Sequence, residues 1–215
     1  MALTAIKVQG IRQSVADSLR RAVLEGQFPP GSNLSEVAIA KELQVSRGSV
    51  REALLVLAQD GLVNHSPNRG FYTVRLTEHD IAQIQQVRLR LETYALSEAQ
   101  PRVTPKALEG LTDLRDRMVA ALESGDRVAC LDLELTFHTA LWEAAENPWL
   151  SASLRRVMVP YFAFAVAFEL PYSSVSIDLH YEQHDVLIRF LRGETDWSAE
   201  RCVWFHVFPV RPYDR

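Results

Sequence analysis

The feature that most constrains the fold is a helical pattern that runs through nearly the whole chain and is interrupted once. Apolar residues recur at i, i+3 and i+4 spacing up to about residue 60 and again beyond residue 77. Between these stretches, the β-type runs 62–65 and 71–74 flank segment 66–70, which consists of turn-forming residues. The sequence therefore predicts a mainly α protein with a single β-hairpin.

Composition excludes several other classes of protein. The chain has 215 residues, of which 47% are apolar and 23% charged, so it suits one large or two small globular domains. Cys130 and Cys202 form no CxxC motif and are too few for a disulfide framework. The longest apolar run, 157–168, is well short of the roughly 20 residues that cross a bilayer. With no signal peptide at the start, we expect a cytoplasmic protein without a membrane partner.

The first 76 residues predict a winged helix-turn-helix. A helix over 11–25 ends at Gly26, Ser35 and Ser46 are candidate N-caps of two further helices, and Gly61 ends the last of these. Three helices followed by a hairpin have the order of a winged helix-turn-helix.

The rest of the chain predicts six more helices. Thr77 and Asp80 form a capping-box pattern, and Thr104-Pro105 begins a second helix that Gly125 ends. The other four are predicted over 127–145, 149–169, 176–192 and 197–207. Helices of this length with short loops predict an antiparallel bundle.

The charge changes sign at the proposed domain boundary. Residues 1–76 carry a net charge of +3 and residues 77–215 a net charge of −7. A mildly basic first part and an acidic second part suggest two domains with different partners.

Two apolar patterns stand out in the second domain. The run 161–168 is expected to be mainly core, with some of its aromatic rings lining a pocket. The helix that follows Thr77 has one apolar face, formed by Ile81, Ile84, Val87, Leu91 and Ala95.

The second helix of a helix-turn-helix inserts its first turn into the major groove. Arg47 and Arg51 are four residues apart in that turn, so one guanidinium can reach a guanine and the other a phosphate. The alternative is that both arginines pair with Glu52 or with solvent. The predicted DNA-binding residues are Ser46, Arg47, Gly48, Ser49 and Arg51, with Asn68, Arg69 and Gly70 at the hairpin tip.

Histidines of the second domain suggest a metal site. Glu134 and His138 are four residues apart on one helical face, and His184 and His206 follow on later helices. Three imidazoles and a carboxylate suit zinc, nickel, manganese or iron, with a position left open. A single histidine on an apolar helix face is more often a hydrogen-bonded core residue, so spacing alone leaves both interpretations open.

Three motifs carry a resemblance to a known family. They read G-x-F-x-P-G-x-x-L-S-E at 26–36, V-S-R-x-x-V-R-E-A-L at 45–54 and D-G-L-V at 60–63. Segment 11–75 thereby resembles the winged-helix domain of the GntR family of bacterial transcription regulators. Gly48-Ser49 stands where that family commonly has Thr-Pro, and Val37 where some members have a DNA-contacting arginine.

Residues 78–208 resemble the helical FCD effector domain of the FadR branch of that family, in its metal-containing subgroup. The motifs are V-R-x-x-L-E at 87–92, E-x-x-F-H at 134–138, N-P at 147–148 and E-x-H at 182–184, followed by His206. The resemblance implies the metal ligands Glu134, His138, His184 and His206, with glutamate in the place of the usual aspartate.

The same resemblance bears on two further side chains. Arg88 resembles the arginine that binds the effector carboxylate, and its alternative role is a salt bridge to Glu92. His180 is not a family ligand, and we expect it to contact a ligand or to lie at the surface.

The resemblance implies a homodimeric regulator, which we expect to be a repressor, on pseudo-palindromic operator DNA. A small organic acid would be its effector. An alternative is that the metal itself is the signal, or that it is only structural. A metalloenzyme is disfavoured because no spare general base lies at useful spacing from the histidines, and Glu182 is the nearest candidate. We therefore expect no enzyme activity.

Overall fold

The structure is a computed structural model that describes residues 9–167 and 176–208. Its contacts divide the chain into two compact units, Met1–Arg75 and Leu76–Arg215.

The first unit contains three helices followed by a hairpin. In chain order these are α1 (Gln9–Leu24), α2 (Glu36–Glu42), α3 (Arg47–Gln59), β1 (Val63–Ser66) and β2 (Gly70–Thr73). α3 packs against α1, α2 and β1.

Side-chain caps fix where the second and third helices begin. Ser35 Oγ accepts a hydrogen bond from the Ala38 amide, and Ser46 Oγ accepts one from the Ser49 amide. These are the predicted N-caps, and each satisfies an amide that has no partner inside its helix. The turn between α2 and α3 includes Gln44 in the left-handed region, at φ +53°. Both helices of the predicted helix-turn-helix are confirmed.

The hairpin pairs β1 with β2 in antiparallel register, from Val63 opposite Thr73 to Ser66 opposite Gly70. β1 lies one residue later than predicted and β2 one residue earlier, because pairing continues to the ends of the turn. The Leu34 amide also donates to the Phe71 carbonyl at 2.8 Å. This bond ties the hairpin to the segment that precedes α2.

The second unit contains six helices among the described residues, as predicted. They are α4 (Glu78–Ala99), α5 (Pro105–Ser124), α6 (Arg127–Glu143), α7 (Pro148–Ala167), α8 (Ile177–Arg192) and α9 (Ala199–Val207). The capping box of Thr77 and Asp80 is present, Thr104 caps α5 with Pro105 in its first turn, and Gly125 ends α5 at φ +73°. The predicted continuation of the fourth of these helices to 169 falls outside the described residues.

Helix packing brings chemically different side chains to one interior. α4 packs against four helices, which are α6, α7, α8 and α9. In addition, α6 packs against α7, and α8 packs against α9. The four helices α4, α6, α8 and α9 each contribute a buried polar residue. In the described ranges, no helix is both long and apolar enough to span a membrane.

The apolar stripe of α4 lies mostly outside the core. Of its five residues only Ala95 is buried, and Val87 is 43% exposed. The buried residues of this helix are Gln85, Arg88, Glu92, Ala95, Leu96 and Ala99. Because Arg88 and Glu92 pair with each other, the cost of removing their charges from water is offset, and the helix can turn a polar face inward.

Candidate functional site

The first turn of α3 presents the two predicted arginines to the surface. The Arg47 and Arg51 side chains are 68% and 55% exposed. Both face Glu36 of α2: Arg51 Nη1 lies 3.0 Å from Glu36 Oε1, and Arg47 Nη2 lies 3.9 Å from Oε2. The arginines therefore pair with Glu36 rather than with Glu52. No local pattern predicts this contact, because it depends on how α2 packs on α3.

The residues beside these arginines have small side chains that leave the backbone of the turn uncovered. Ser46 and Gly48 are exposed, and Ser49 is half-buried with its Oγ 2.9 Å from Ser46 Oγ. A Cβ on Gly48 would have only Ser46 Oγ within 4 Å, at 3.7 Å. The backbone of this turn is therefore open to close approach by a partner.

The hairpin tip exposes Asn68 and Arg69, while Gly70 is half-buried. Asn68 and Gly70 adopt positive φ values of 67° and 89°. The Arg69 carbonyl accepts hydrogen bonds from Tyr72 Oη at 2.8 Å and Asn33 Nδ2 at 3.4 Å. These bonds fix the backbone of the tip while the Arg69 side chain faces solvent.

Inside the second unit, three helices bring one histidine each to a common point. His138 of α6, His184 of α8 and His206 of α9 are buried, and one ring nitrogen of each lies within 4.8 Å of the others. His138 Nε2 is 3.2 Å from His206 Nε2. We call these three residues the histidine cluster.

Two rings of the histidine cluster are oriented by backbone carbonyls. His184 Nδ1 lies 2.8 Å from the His180 carbonyl, and His206 Nδ1 lies 3.1 Å from the Gln183 carbonyl. A carbonyl only accepts hydrogen bonds, so both Nδ1 atoms carry the proton. When such a ring is neutral, its lone pair is on Nε2, the atom that faces the cluster, as metal-binding histidines need.

The third ring faces the buried carboxylate of Glu92. His138 Nδ1 is 3.2 Å from Glu92 Oε1, at ion-pair distance but without the alignment of a hydrogen bond. Trp142 Nε1 donates to the same oxygen at 3.3 Å, and Arg88 Nε donates to Oε2 at 2.9 Å. Burial raises the pKa of Glu92, but Arg88 and His138 outweigh it and lower that pKa to about 2.

Glu134, the fourth predicted ligand, directs its two oxygens to different sides. Oε2 lies 3.2 Å from His184 Nε2 and 3.5 Å from His138 Nε2, and Oε1 lies 3.2 Å from His180 Nε2. Burial raises the pKa of this carboxyl, and the histidines outweigh burial, so the pKa lies well below its usual range. All four predicted ligands therefore come together, and His180 contacts one of them.

Arg88 forms the salt bridge to Glu92 that was its alternative role, and it also reaches the histidine cluster. It pairs with Glu92, and its Nη2 lies 2.6 Å from His206 Nε2, with the guanidinium 5.3 Å from the ring centroid of Phe162. Burial and the charge of Arg88 hold the pKa of His206 well below its ordinary value. Of the apolar run 161–168, Tyr161 to Phe164 are buried, and Phe168 lies outside the described residues.

This donor set fits a divalent cation. Imidazole nitrogens that converge on one point, together with a carboxylate, are the ligands that zinc, nickel, manganese and iron accept. Backbone carbonyls accept from Nδ1 of His184 and His206, and Glu92 faces Nδ1 of His138. Metal-binding histidines need such outer contacts.

Several contributors were missed in the sequence. The sequence predicts Glu92 only as a partner of Arg88, and it does not identify Trp142 as part of the site. Cys130 lies one turn before Glu134 on α6, and its Sγ belongs to a second group of close donors with Glu134 and His180. The four-residue spacing was the available signal for Cys130.

Two family models match the two units. The model described as "Bacterial regulatory proteins, gntR family" matches residues 11–73, and the FCD domain model matches residues 83–208, which is more than half of the chain. The chain belongs to the FadR-like GntR family of transcription regulators. Members of this family bind DNA and are not enzymes.

Curated GntR-type relatives span much of the chain. An uncharacterised HTH-type regulator of Agrobacterium vitis is 36% identical over 127 residues, which cover 58% of this chain and 74% of the relative. McbR of Escherichia coli is 23% identical over 192 residues, covering 88% and 86%. The gluconate operon transcriptional repressor of Bacillus subtilis is 26% identical over 186 residues, covering 85% and 75%.

Solved structures of GntR regulators share the fold. E. coli McbR/YncC aligns with a TM-score of 0.70 at 22% identity, covering 92% of this chain and 93% of that chain. A putative GntR regulator from Rhodococcus sp. RHA1 aligns with a TM-score of 0.64 at 25% identity, covering 92% and 94%. The mainly helical fold with an N-terminal winged helix-turn-helix is therefore that of the GntR family.

We predict that Glu92→Gln destabilises the FCD domain by about 3 kcal/mol at neutral pH, because it leaves the buried Arg88 guanidinium without its counter-charge. Chemical unfolding after metal removal measures this. Glu98→Gln, which breaks the half-exposed pair with Arg102, is the matched control and should cost no more than about 0.5 kcal/mol.

The pH dependence gives a second readout of the same variant. Since the folded pKa of Glu92 is depressed from 4.5 to about 2, its stabilisation is complete above pH 4.5 and is lost as the pH falls toward 2. The stability difference between wild type and Glu92→Gln should therefore shrink as the pH falls from about 5 toward 2. A difference equal to that of Glu98→Gln at every pH contradicts the account.

Proposed function

We propose that this GntR regulator is a homodimeric repressor that binds pseudo-palindromic operator DNA and responds to a small organic carboxylate. In this proposal residues 1–76 bind DNA, and residues 77–215 bind a divalent metal, bind the effector and form the dimer. The observation that carries it is the convergence of three buried imidazoles, Glu134 and Arg88 in one interior.

The DNA contacts are assigned to the exposed turn of α3 and the hairpin tip. Glu36 holds both Arg47 and Arg51, so their guanidinium groups are positioned before DNA binds and lose less side-chain entropy on binding. Both remain more than half exposed and can still reach base edges or phosphates. Asn68, Arg69 and Gly70 would contact the backbone or the minor groove beside them.

We predict that Arg51→Ala weakens binding to an operator by about 1 to 3 kcal/mol if the side chain reads a base. The DNA is a sequence selected from a random pool by the wild-type protein, and the readout is fluorescence anisotropy at fixed salt. Arg117→Ala is the control, since Arg117 is an exposed arginine of the second unit that pairs with Asp113. Equal affinity of Arg51→Ala and wild type would remove Arg51 from the interface.

The metal ligands are assigned to His138, His184, His206 and Glu134. The bound cation would supply positive charge and an open coordination position in an interior walled by aromatic rings. His138 lies 5.1 Å from Phe162 and 5.7 Å from Trp142, measured between ring centroids. Such a place favours a small anion.

Arg88 is assigned to the effector. Its guanidinium lies at the histidine cluster and has only donor groups, which suit a carboxylate bound through two hydrogen bonds. Glu92 holds Nε, so Arg88 keeps a fixed position while its Nη2 faces the cluster. Neutral imidazoles and an arginine together select a carboxylate over a neutral ligand.

We predict that protein purified without chelator carries metal in every subunit of a dimer. Native mass spectrometry reads the subunit number, the bound metal and any co-purified organic acid in one spectrum. His138→Ala and His184→Ala should each lose the metal of this site. His79→Ala, an exposed histidine of α4, is the control and should keep it. A wild-type dimer without metal would show that the histidines are core residues.

The homodimer is supported by the outer face of α4. Ile84, Val87, Leu91 and Tyr94 follow a 3-4-3 spacing, which places them in one seam of the type that pairs helices. Val87 is 43% and Tyr94 50% exposed, while Ile84 and Leu91 are half-buried. Burial of the seam against the same seam of a second copy would satisfy the two-fold symmetry of a dimer.

We predict that Val87→Lys shifts the protein from dimer to monomer, because two lysines would meet across the symmetric seam. Sedimentation velocity over a concentration series measures this. Val37→Lys is the matched control, since Val37 is a 57% exposed valine of α2 in the first unit. A Val87→Lys protein as dimeric as Val37→Lys would place the interface elsewhere.

A metal-responsive regulator is the second candidate. Arg88 Nη2 donates to the lone pair of His206 Nε2, the same lone pair that a cation would use, so metal binding and this hydrogen bond exclude each other. Metal binding would therefore break this hydrogen bond and leave Arg88 Nη2 without its histidine partner. Operator affinity that follows metal concentration in the absence of organic acids supports this candidate; affinity that changes only when acids are added supports the first.

A further inference from the structure

A second group of donor atoms adjoins the histidine cluster. Cys130 and Glu134 occupy successive turns of α6, and His180 faces them from α8. One donor atom of each lies within 4.8 Å of the other two. This group shares only Glu134 with the four ligands assigned above.

Glu134 has the geometry of a bridge between the two groups. Its Oε2 faces His184 and His138, while its Oε1 lies 3.2 Å from His180 Nε2. The two oxygens of one carboxylate therefore point to different donor sets. Carboxylates bridge adjacent ions in this way at sites that hold two metals.

His180 Nε2 is buried and forms no well-aligned hydrogen bond within the part of the chain that the structure describes. A buried polar atom in this state costs free energy unless a partner is supplied. A cation bound by Nε2 would supply it.

We propose that Cys130 Sγ, Glu134 Oε1 and His180 Nε2 form a second cation site, bridged through Glu134 to the metal of the histidine cluster. One sulfur, one nitrogen and one oxygen donor suit a thiophilic divalent ion, with zinc as the physiological class and cobalt as its spectroscopic substitute. The cation binds the sulfur as a thiolate, and the thiol proton is released to solvent.

The two groups differ in the burial of the histidine that each does not share. His180 is 16% exposed, whereas His138 and His184 are 1% and 2% exposed, and Cys130 is buried. This inference rests on the proposed metal centre only through the shared Glu134, so the two can fail separately.

The test is a cobalt titration of the full chain after removal of bound metal. Cobalt bound to a thiolate gives an intense near-ultraviolet sulfur-to-metal charge-transfer band, which nitrogen and oxygen ligands do not give. We expect two cobalt ions per chain and this band in the wild type. Cys130→Ser should lose the band and one ion, and Cys202→Ser, the matched buried cysteine outside both donor groups, should keep both.

His180→Gln is the second variant, and it should weaken the band at limiting cobalt. The hydrogen bond to His184 uses the His180 backbone carbonyl, so this substitution leaves the histidine cluster intact. His206→Ala should lose one ion and keep the band. A single cobalt ion with the band, retained in His206→Ala, would support the Cys130 site and overturn the metal centre of the histidine cluster.

Two results overturn the proposal. One is a wild-type protein that binds cobalt without a charge-transfer band. The other is a band that persists in Cys130→Ser and disappears in Cys202→Ser, which would assign the thiolate to the wrong cysteine.

Discussion

The buried ion pair between Arg88 and Glu92 is the interaction on which the interior of the FCD domain depends. A lone charge in that position would be too costly to bury, and the pair is tolerated because Trp142 and His138 complete the surroundings of Glu92. Through this pair α4 turns a polar face inward. The same pair places a guanidinium beside the histidine cluster and a carboxylate beside the ring of His138, so it contributes to both the proposed metal site and the proposed effector site.

Local signals predicted the elements of the fold well. Ser46, Thr77 and Gly125 mark helix ends through hydrogen bonds to their own neighbours, and such short-range chemistry can be read from the sequence. The rotation of α4 could not be read in this way. Periodicity shows an apolar stripe through Val87, but it does not show that the neighbouring Arg88 and Glu92 are buried while Val87 is exposed.

The candidate site was predicted to a similar degree. The four-residue spacing on α6 and the family resemblance predict that Glu134 and the three histidines share one site. Partners on other helices were not predictable, because contacts such as Glu36 with Arg51, or Trp142 with Glu92, join residues that no local pattern links. Signal transfer in the proposed regulator would pass through segment 74–77, the short connection between β2 and α4.

The central claim is that three imidazoles and Glu134 hold a metal ion inside the FCD domain. Crystals of the zinc-loaded protein, measured on both sides of the zinc absorption edge, test it most directly. The account predicts an anomalous-difference peak at bonding distance from the Nε2 atoms of His138, His184 and His206. A map from a fully zinc-loaded crystal with no peak between these nitrogens would contradict it.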